Sequence, residues 1–258
     1  MGYRPNNVST APTHWWKLNE NSVSDPRADS VSTNPVSLAT CVNGSPASLH
    51  AASDVGVSGL ETYCLELGIV GAWNESVIYS TGHASLAIGT GDFSFSGWIK
   101  FEGAVSGSIF ATGVGNGGTC ISIFHTGGNL SLKIAGDLRT WSWVPSTRVW
   151  YHLVIKRSGT TLTAYVNASS LGGSNTSSGN ATDSTAKIGY EGYWSVIPGY
   201  YQDFSLWKGY AISDAEISAL YTNTAPTAIK GIVGVAKASI QKICGVTISS
   251  VNKVAGLA

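Results

Sequence analysis

Charge is scarce in this 258-residue chain. Charged residues make up 12% of it, and 15 Lys plus Arg balance 15 Asp plus Glu to a formal net charge of zero. A chain without a basic field cannot hold a phosphate backbone, so nucleic acid is excluded as an expected partner. No run reaches the roughly 18 to 20 consecutive apolar residues that a membrane span requires, and insertion into a membrane is not expected. The opening residues "MGYRPNNVSTAPTHWW" lack the apolar stretch of an export signal, and the expectation is a protein assembled in the cytoplasm. The four cysteines, Cys41, Cys64, Cys120 and Cys244, are far apart and form no CxxC pair. They signal neither a zinc site nor a disulfide framework and read as small buried hydrophobes. Methionine occurs once, whereas 31 Gly, 9 Trp and 11 Tyr point to many turns between aromatic-bearing strands.

Alternation is visible at "DFSFSGWIKFEG" (92–103), where Phe93, Phe95, Gly97 and Ile99 share one face and Ser94, Ser96, Trp98 and Lys100 the other. This predicts a strand with one face in a core. The stretches 107–113, 119–128 and 129–136 are short, rich in β-branched and aromatic residues, and bounded by Gly or Asn, as in successive antiparallel hairpins. "VWYHLVIKRSGTTLTAYVNAS" (149–169) is a further hairpin with Ser158 and Gly159 in its loop. The Gly/Ser/Asn run 169–184 predicts a long solvated loop, and 186–192 and 200–210 two more strands. The single helix signal is "ISDAEISALYTN" (212–223), in which Ser213 and Glu216 have capping-box spacing and Ile217 and Leu220 recur at helical spacing.

From residue 229 the chain aligns with itself. "IKGIVGVAKAS", "IQKICGVTISS" and "VNKVAGLA" begin at 229, 240 and 251, an 11-residue step with Gly234, Gly245 and Gly256 in register. Val, Ile and Thr enrichment favours strands over a helical supercoil, and an odd period needs a bulge or corner that Gly permits. About thirty residues cannot bury the recurring Ile229, Ile232, Ile240, Ile243, Val251 and Val254 by themselves, so the ribbon needs neighbours. Copies around a three-fold axis or the surface of a larger assembly would serve.

Many short strands with one terminal helical turn predict a two-sheet β-sandwich. "WWKLNENSVSDPRADS", "FSFSGWIKFEG", "TRVWYHLVIKRSGTTLTAYVNAS" and "YYQDFSLWKGYAISDAEISALY" together resemble the laminin-G-like, concanavalin A-like jelly-roll domains. The expected architecture is therefore all-β: an antiparallel two-sheet jelly roll with one short C-terminal helix and a β-rich repeat tail. Its divisions are an N-terminal arm (1–12), the jelly-roll domain (13–223) and the tail (224–258), which resembles repeats at the ends of bacteriophage structural proteins. The fold hosts lectins, adhesion modules, glycosidases and virion proteins alike, so it does not by itself choose a function.

Glycoside hydrolysis needs two carboxyls about 5 to 9 Å apart. In the hydrolases that the fold resembles, they lie along one strand face as Glu-x-Asp-x-x-Glu. The nearest approach is "GLETYCLELG", whose Glu61 and Glu66 fall on opposite faces of a strand with no Asp between. No Ser-His-Asp arrangement, Gly-x-Ser-x-Gly elbow or phosphate loop is legible, and no catalytic residue is expected. His152, beside Trp150 and Tyr151 in a strand, reads as structural. The resemblance implies a Ca²⁺ site with Asp29 and Asp203 as oxygen ligands, against which stands a turn-capping role for Asp29 and a loop hydrogen bond for Asp203. Trp141 and Trp143 share one side of a strand in "TWSWVP", and Tyr193, Trp194, Tyr200 and Tyr201 crowd a Gly/Pro segment in "GYEGYWSVIPGYY". Such aromatics fit sugar stacking, a protein interface or a core.

The functional expectation is a non-enzymatic virion structural protein, a capsid decoration or tail-fibre appendage assembled in the host cytoplasm. Its head would display a glycan-binding surface, and its tail would join other virion proteins or trimerise. The alternative is an extracellular carbohydrate-binding or adhesion module; a glycan-cleaving enzyme is disfavoured by the missing carboxylate pair.

Overall fold

The computed structural model describes residues 8–19, 29–31, 48–50, 64–68, 76–79, 82–103, 105–113, 117–173, 175–222, 242–243 and 246–247. In chain order the first strands are β1 (His14–Trp16), β2 (Ser48–His50), β3 (Cys64–Leu67), β4 (Ser76–Tyr79), β5 (Phe93–Phe101) and β6 (Gly107–Thr112). There follow β7 (Ile121–Thr126), β8 (Asn129–Ile134), β9 (Asp137–Ser142), β10 (Trp150–Ser158), β11 (Thr161–Val166), β12 (Ser169–Ser170) and β13 (Asn175–Thr176). Then come β14 (Ala186–Gly189), β15 (Gly199–Lys208), helix α1 (Asp214–Thr222), β16 (Lys242–Ile243) and β17 (Val246–Thr247).

Two antiparallel sheets form a sandwich, as the strand spacing predicts. The larger runs β12-β11-β10-β5-β15-β3-β2, with β1 added on β15 and β13 on β11; the smaller runs β4-β14-β6-β7-β8-β9. Inward residues of both sheets make one core, including Phe93, Phe95, Phe101, Phe110, Ile123, Leu132, Ile155 and Leu206. Gly97 breaks the inward run of β5 for a packing reason: a Cβ there would stand 2.5 Å from the ring of Phe204. On β15 the register against β5 shifts between Gln202 and Ser205, and Asp203 takes a left-handed φ of 52°. This bulge lets Tyr201 and Phe204, three residues apart, both face the core.

The structure corrects one expectation about burial and one about strand pairing. First, β5 is buried on both faces, not one. Its outward Trp98 joins Val8, Val154, Tyr165, Trp207, Ile212, Ile217 and Leu220 in a second core between the larger sheet and α1. Outward tryptophans at 98 and 207 are large apolar surfaces that need a lid, and a nine-residue helix, marginal alone, gains its stability by supplying one. Second, the described residues of 169–184 are largely exposed, as expected, but the segment is not all loop: β12 and β13 pair with β11, and Arg157, fully buried, donates to the carbonyls of Gly89, Gly91 and Gly179 at 2.5–2.8 Å. Burial holds the Arg157 pKa below its usual range.

The capping box forms. Glu216 accepts the Ser213 amide at 2.7 Å, and its own amide donates to Ser213 Oγ at 3.3 Å. Glu216 also accepts the amide and hydroxyl of Ser9 at 2.8 and 2.6 Å, which ties the arm to the helix. In the tail, β16 and β17 form a short antiparallel ladder pairing Ile243 with Val246. Ile229, Ile232, Ile240, Val251 and Val254 lie outside the described residues, as do Glu61, Cys41 and Cys244. Cys64 and Cys120 are buried. Among the described residues no helix is long and apolar enough to cross a membrane.

Candidate functional site

Two of the sequence-predicted aromatic groups belong to the interior. Trp141 pairs with Leu130 across β8 and β9 and is 3% exposed. Trp143 packs against the same core, edge-on to Phe101 and Tyr151. They do share a side, and that side faces inward. Tyr200 and Tyr201 fall within β15 instead of a rim loop, and β alternation sends them to opposite faces. Tyr201 enters the core and donates its hydroxyl to the Ile197 carbonyl at 2.5 Å. Tyr200 is buried on the outer face under the Lys100 ammonium, 4.3 Å from its ring.

Tyr193 and Trp194 remain on the surface. Tyr193 is 56% exposed, and Trp194 is half-buried because it stacks on Phe124, centroids 5.1 Å apart and planes within 17°. Tyr193 meets Trp194 edge-on at 5.2 Å. Glu191, fully buried, shapes this loop by accepting the amides of Tyr193 and Trp194 at 3.2 and 2.8 Å. The loop returns along β6, where the Ser108 amide donates to the Ser195 carbonyl at 2.7 Å.

Phe124 places this aromatic group on the outer face of the smaller sheet. One outward row is Ser108, Phe124, Ser131 and Thr140; the next is Lys187, Ala111, Ser122, Lys133 and Leu138. The Oγ atoms of Ser108, Ser122 and Ser131 are buried without a hydrogen-bond partner in the protein. Lys187 donates to the Glu191 carbonyl at 2.9 Å, and burial lowers its pKa against the opposing pull of Glu191. The face thus combines a flat aromatic step and ammonium groups over serines that are themselves fully buried. Sequence reasoning missed Phe124 and the serines, although "ISIFHT" carries the signal: Ser122 and Phe124 alternate out of phase with the core residues Ile121 and Ile123.

Asp29 and Asp203 both serve β1. Asp29 Oδ1 accepts the Trp15 amide at 3.1 Å, and Asp203 Oδ1 accepts the Trp15 indole N–H at 3.0 Å. Among the described residues no group of three or more His, Cys, Asp or Glu side chains is placed to hold a metal ion, so the geometry lends the calcium expectation no support. Glu66 lies on the outer face of β3, paired in register with Tyr200.

Residues 74–218, more than half of the chain, match the family model described as the concanavalin A-like lectin/glucanases superfamily. The chain belongs to that superfamily. No curated protein matches it in sequence. Among solved structures it is similar to domain 4 of AbnA, a GH43 extracellular arabinanase from Geobacillus stearothermophilus, in complex with arabinotriose. The TM-score is 0.61 at 16% identity, over 81% of this chain and 98% of that one. It is also similar to the binding domain of botulinum neurotoxin DC in complex with SialylT, with a TM-score of 0.57 at 14% identity over 87% and 53% of the two chains. A sialidase from Trypanosoma rangeli in complex with sialic acid gives 0.54 at 12% over 81% and 32%. This superfamily member therefore spans about half of the toxin domain and a third of the sialidase, and at these identities the likeness is one of fold.

Proposed function

We propose that this superfamily member is a glycan-binding module that holds its ligand without cleaving glycosidic bonds, using the outer face of the smaller sheet. The observation that carries the reading is the Trp194–Phe124 stack with exposed Tyr193. Aromatic faces cover the apolar face of a sugar ring, while Lys133 and Thr140, which reach solvent on the same face, meet its hydroxyls. The sugar ligands named for the arabinanase domain and the toxin domain support a glycan as the ligand class. Calorimetry with arabinotriose, followed by an array of neutral and acidic glycans, tests it. Saturable binding that Trp194→Ala weakens at least tenfold supports the reading; binding unchanged by that substitution overturns the assignment to this face.

The same proposal sets the module on a virion, as a capsid decoration or tail appendage, with the repeat from 229 as its means of trimerisation or attachment. The support is the 11-residue internal repeat with its recurring Ile and Val. Light scattering of the full chain and of residues 1–223 separates the two roles. A trimer that falls to a monomer on truncation makes the tail an assembly device, and an unchanged mass removes self-assembly from the proposal.

A further inference from the structure

A buried imidazole closes one end of the sandwich. His125 follows Phe124 on β7 and points the other way, in phase with the core residues Ile121 and Ile123. It is 1% exposed. Its Nδ1 meets the carbonyl of Val105 in the β5–β6 connection, and its Nε2 lies 2.8 Å from the carbonyl of Trp143 in the β9–β10 connection. The ring stands perpendicular to the Trp143 indole, centroids 5.6 Å apart, with Phe101 at 6.3 Å. Gly107 of β6 and Leu130 of β8 are its partners in register.

A carbonyl oxygen can only accept, and a neutral imidazole has one N–H and one lone pair. Either neutral tautomer therefore turns a lone pair on one of the two carbonyls. The imidazolium donates to both. Burial opposes its charge, but a neutral ring leaves a buried carbonyl facing a lone pair, which costs as well. His14, His83 and His152 avoid this conflict. Each has a serine hydroxyl on one ring nitrogen, Ser85 for the first two and Ser96 for the third, and a hydroxyl donates or accepts as the tautomer requires.

Apart from the ring, the two connections are held unequally. The Trp143 amide donates to the Gly128 carbonyl at 2.9 Å and the Arg148 amide to the Phe101 carbonyl at 2.6 Å, so the Trp143 side is pinned at both ends. The Val105 carbonyl has the ring as its partner. The titratable groups around the ring are engaged with one another or with the backbone: Glu102, after β5, pairs with Lys100 and Arg148 at 3.4 Å each, and the Tyr151 hydroxyl on β10 accepts the Ser146 amide at 2.9 Å. Lys133 of β8 lies on the outer face, and Asp137 and Arg139 pair at the far end of β9. We propose that His125 is a proton-operated clamp. Charged, it holds both carbonyls and closes this end of the sandwich. When the ring gives one proton to solvent as pH rises, the remaining N–H stays with the pinned Trp143 carbonyl and Val105 is released. Closure is thus complete on the acid side and lost toward the alkaline side. The inference does not rest on the glycan-binding reading.

The test is NMR of the full-length protein carrying isotope-labelled histidine, scanned from about pH 5 upward through the range in which imidazoles lose their charge. The expected result is a His125 ring with a proton on both nitrogens at the acid end. In step with the loss of one, exchange of the Ser108 amide is expected to rise about tenfold or more over its intrinsic rate. That amide, three residues beyond Val105, donates to the Ser195 carbonyl at 2.7 Å. His125→Gln, whose side-chain amide donates to one carbonyl at every pH, is expected to show the fast exchange throughout. A ring that loses its proton with no change at Ser108, a ring neutral or charged across the whole scan, or the same step persisting in His125→Gln overturns the proposal. If His125→Gln does not fold, the ring and Ser108 titrations of the native chain decide alone.

Discussion

On the larger sheet the outer face carries Trp98, Val154 and Trp207, and α1 with Val8 closes over them. On the smaller sheet the corresponding face carries Ser122, Ser131, Lys133 and Phe124, and loop 190–198 meets it through Trp194. Both faces are made by antiparallel strands with the same alternation, so backbone architecture does not separate them. Side-chain chemistry does: apolar outward residues recruit a lid and become a second core, whereas on the smaller sheet the serines are buried and Lys133, Trp194 and Tyr193 reach solvent. Stability is expected to reside on the first face and recognition on the second.

The strongest way to break that contrast is to truncate buried aromatics. Trp207 is 1% exposed and donates its indole N–H to the Thr10 carbonyl at 2.9 Å. Trp207→Ala is expected to cost about 3–5 kcal/mol, as is Trp141→Ala in the main core. Thermal or urea unfolding measures both. A loss near 1 kcal/mol at Trp207 would show that the helix-covered layer is not a true core.

Trp141 also shows how much the sequence could reveal. β5, the β7–β8 and β10–β11 hairpins, and α1 were legible because each has a local signature: alternation, Gly at a turn, or Ser213 and Glu216 three apart. The inward direction of Trp141 and Trp143 was not, because alternation gives two faces without saying which meets the other sheet. The bulge at Asp203, which realigns β15, left no local mark either. The candidate face was half legible: Tyr193 and Trp194 stand out as loop aromatics, but Phe124, Ser108, Ser122 and Ser131 come together through strand order. The Val105 and Trp143 carbonyls reach His125 only through long-range closure.

Acid sharpens the contrast next. Burial lowers the His152 pKa to about 3 from 6.5, so below pH 6.5 the unfolded chain takes up a proton that the folded chain refuses. Burial would raise the Glu216 pKa, but hydrogen bonds from Ser9 and Ser213 outweigh it and bring the value down to about 2 from 4.5. The stability from its ionised form is complete above pH 4.5 and lost as pH falls toward 2. Both groups serve the helix-covered layer, so unfolding midpoints are expected to drop steadily from pH 6.5 downward. Glu216→Gln should cost about 1–2 kcal/mol at neutral pH and flatten the part of the decline below pH 4.5. An NMR titration in which His152 protonates near 6.5 would contradict this account.

On the opposite face the expected stability effects shrink. Trp194→Ala removes one stacking partner of Phe124 and is expected to cost about 1 kcal/mol, while glycan affinity falls at least tenfold. A loss of 3 kcal/mol or more would make Trp194 a core residue, and the two faces would then differ less than their chemistry implies.

Tyr193→Ala is the finest test. Its side chain is largely in solvent and touches Trp194 by an edge, so stability is expected to change by no more than about 0.5 kcal/mol. If Tyr193 forms the second wall of a sugar subsite, affinity should fall severalfold, less than for Trp194 because an exposed ring excludes less water from the ligand. Calorimetry on matched Tyr193→Ala and Tyr193→Phe proteins distinguishes the ring from its hydroxyl: binding restored by Phe assigns the contact to stacking, and binding lost equally in both assigns it to a hydrogen bond from the phenol. No change in either would confine recognition to the Trp194–Phe124 step.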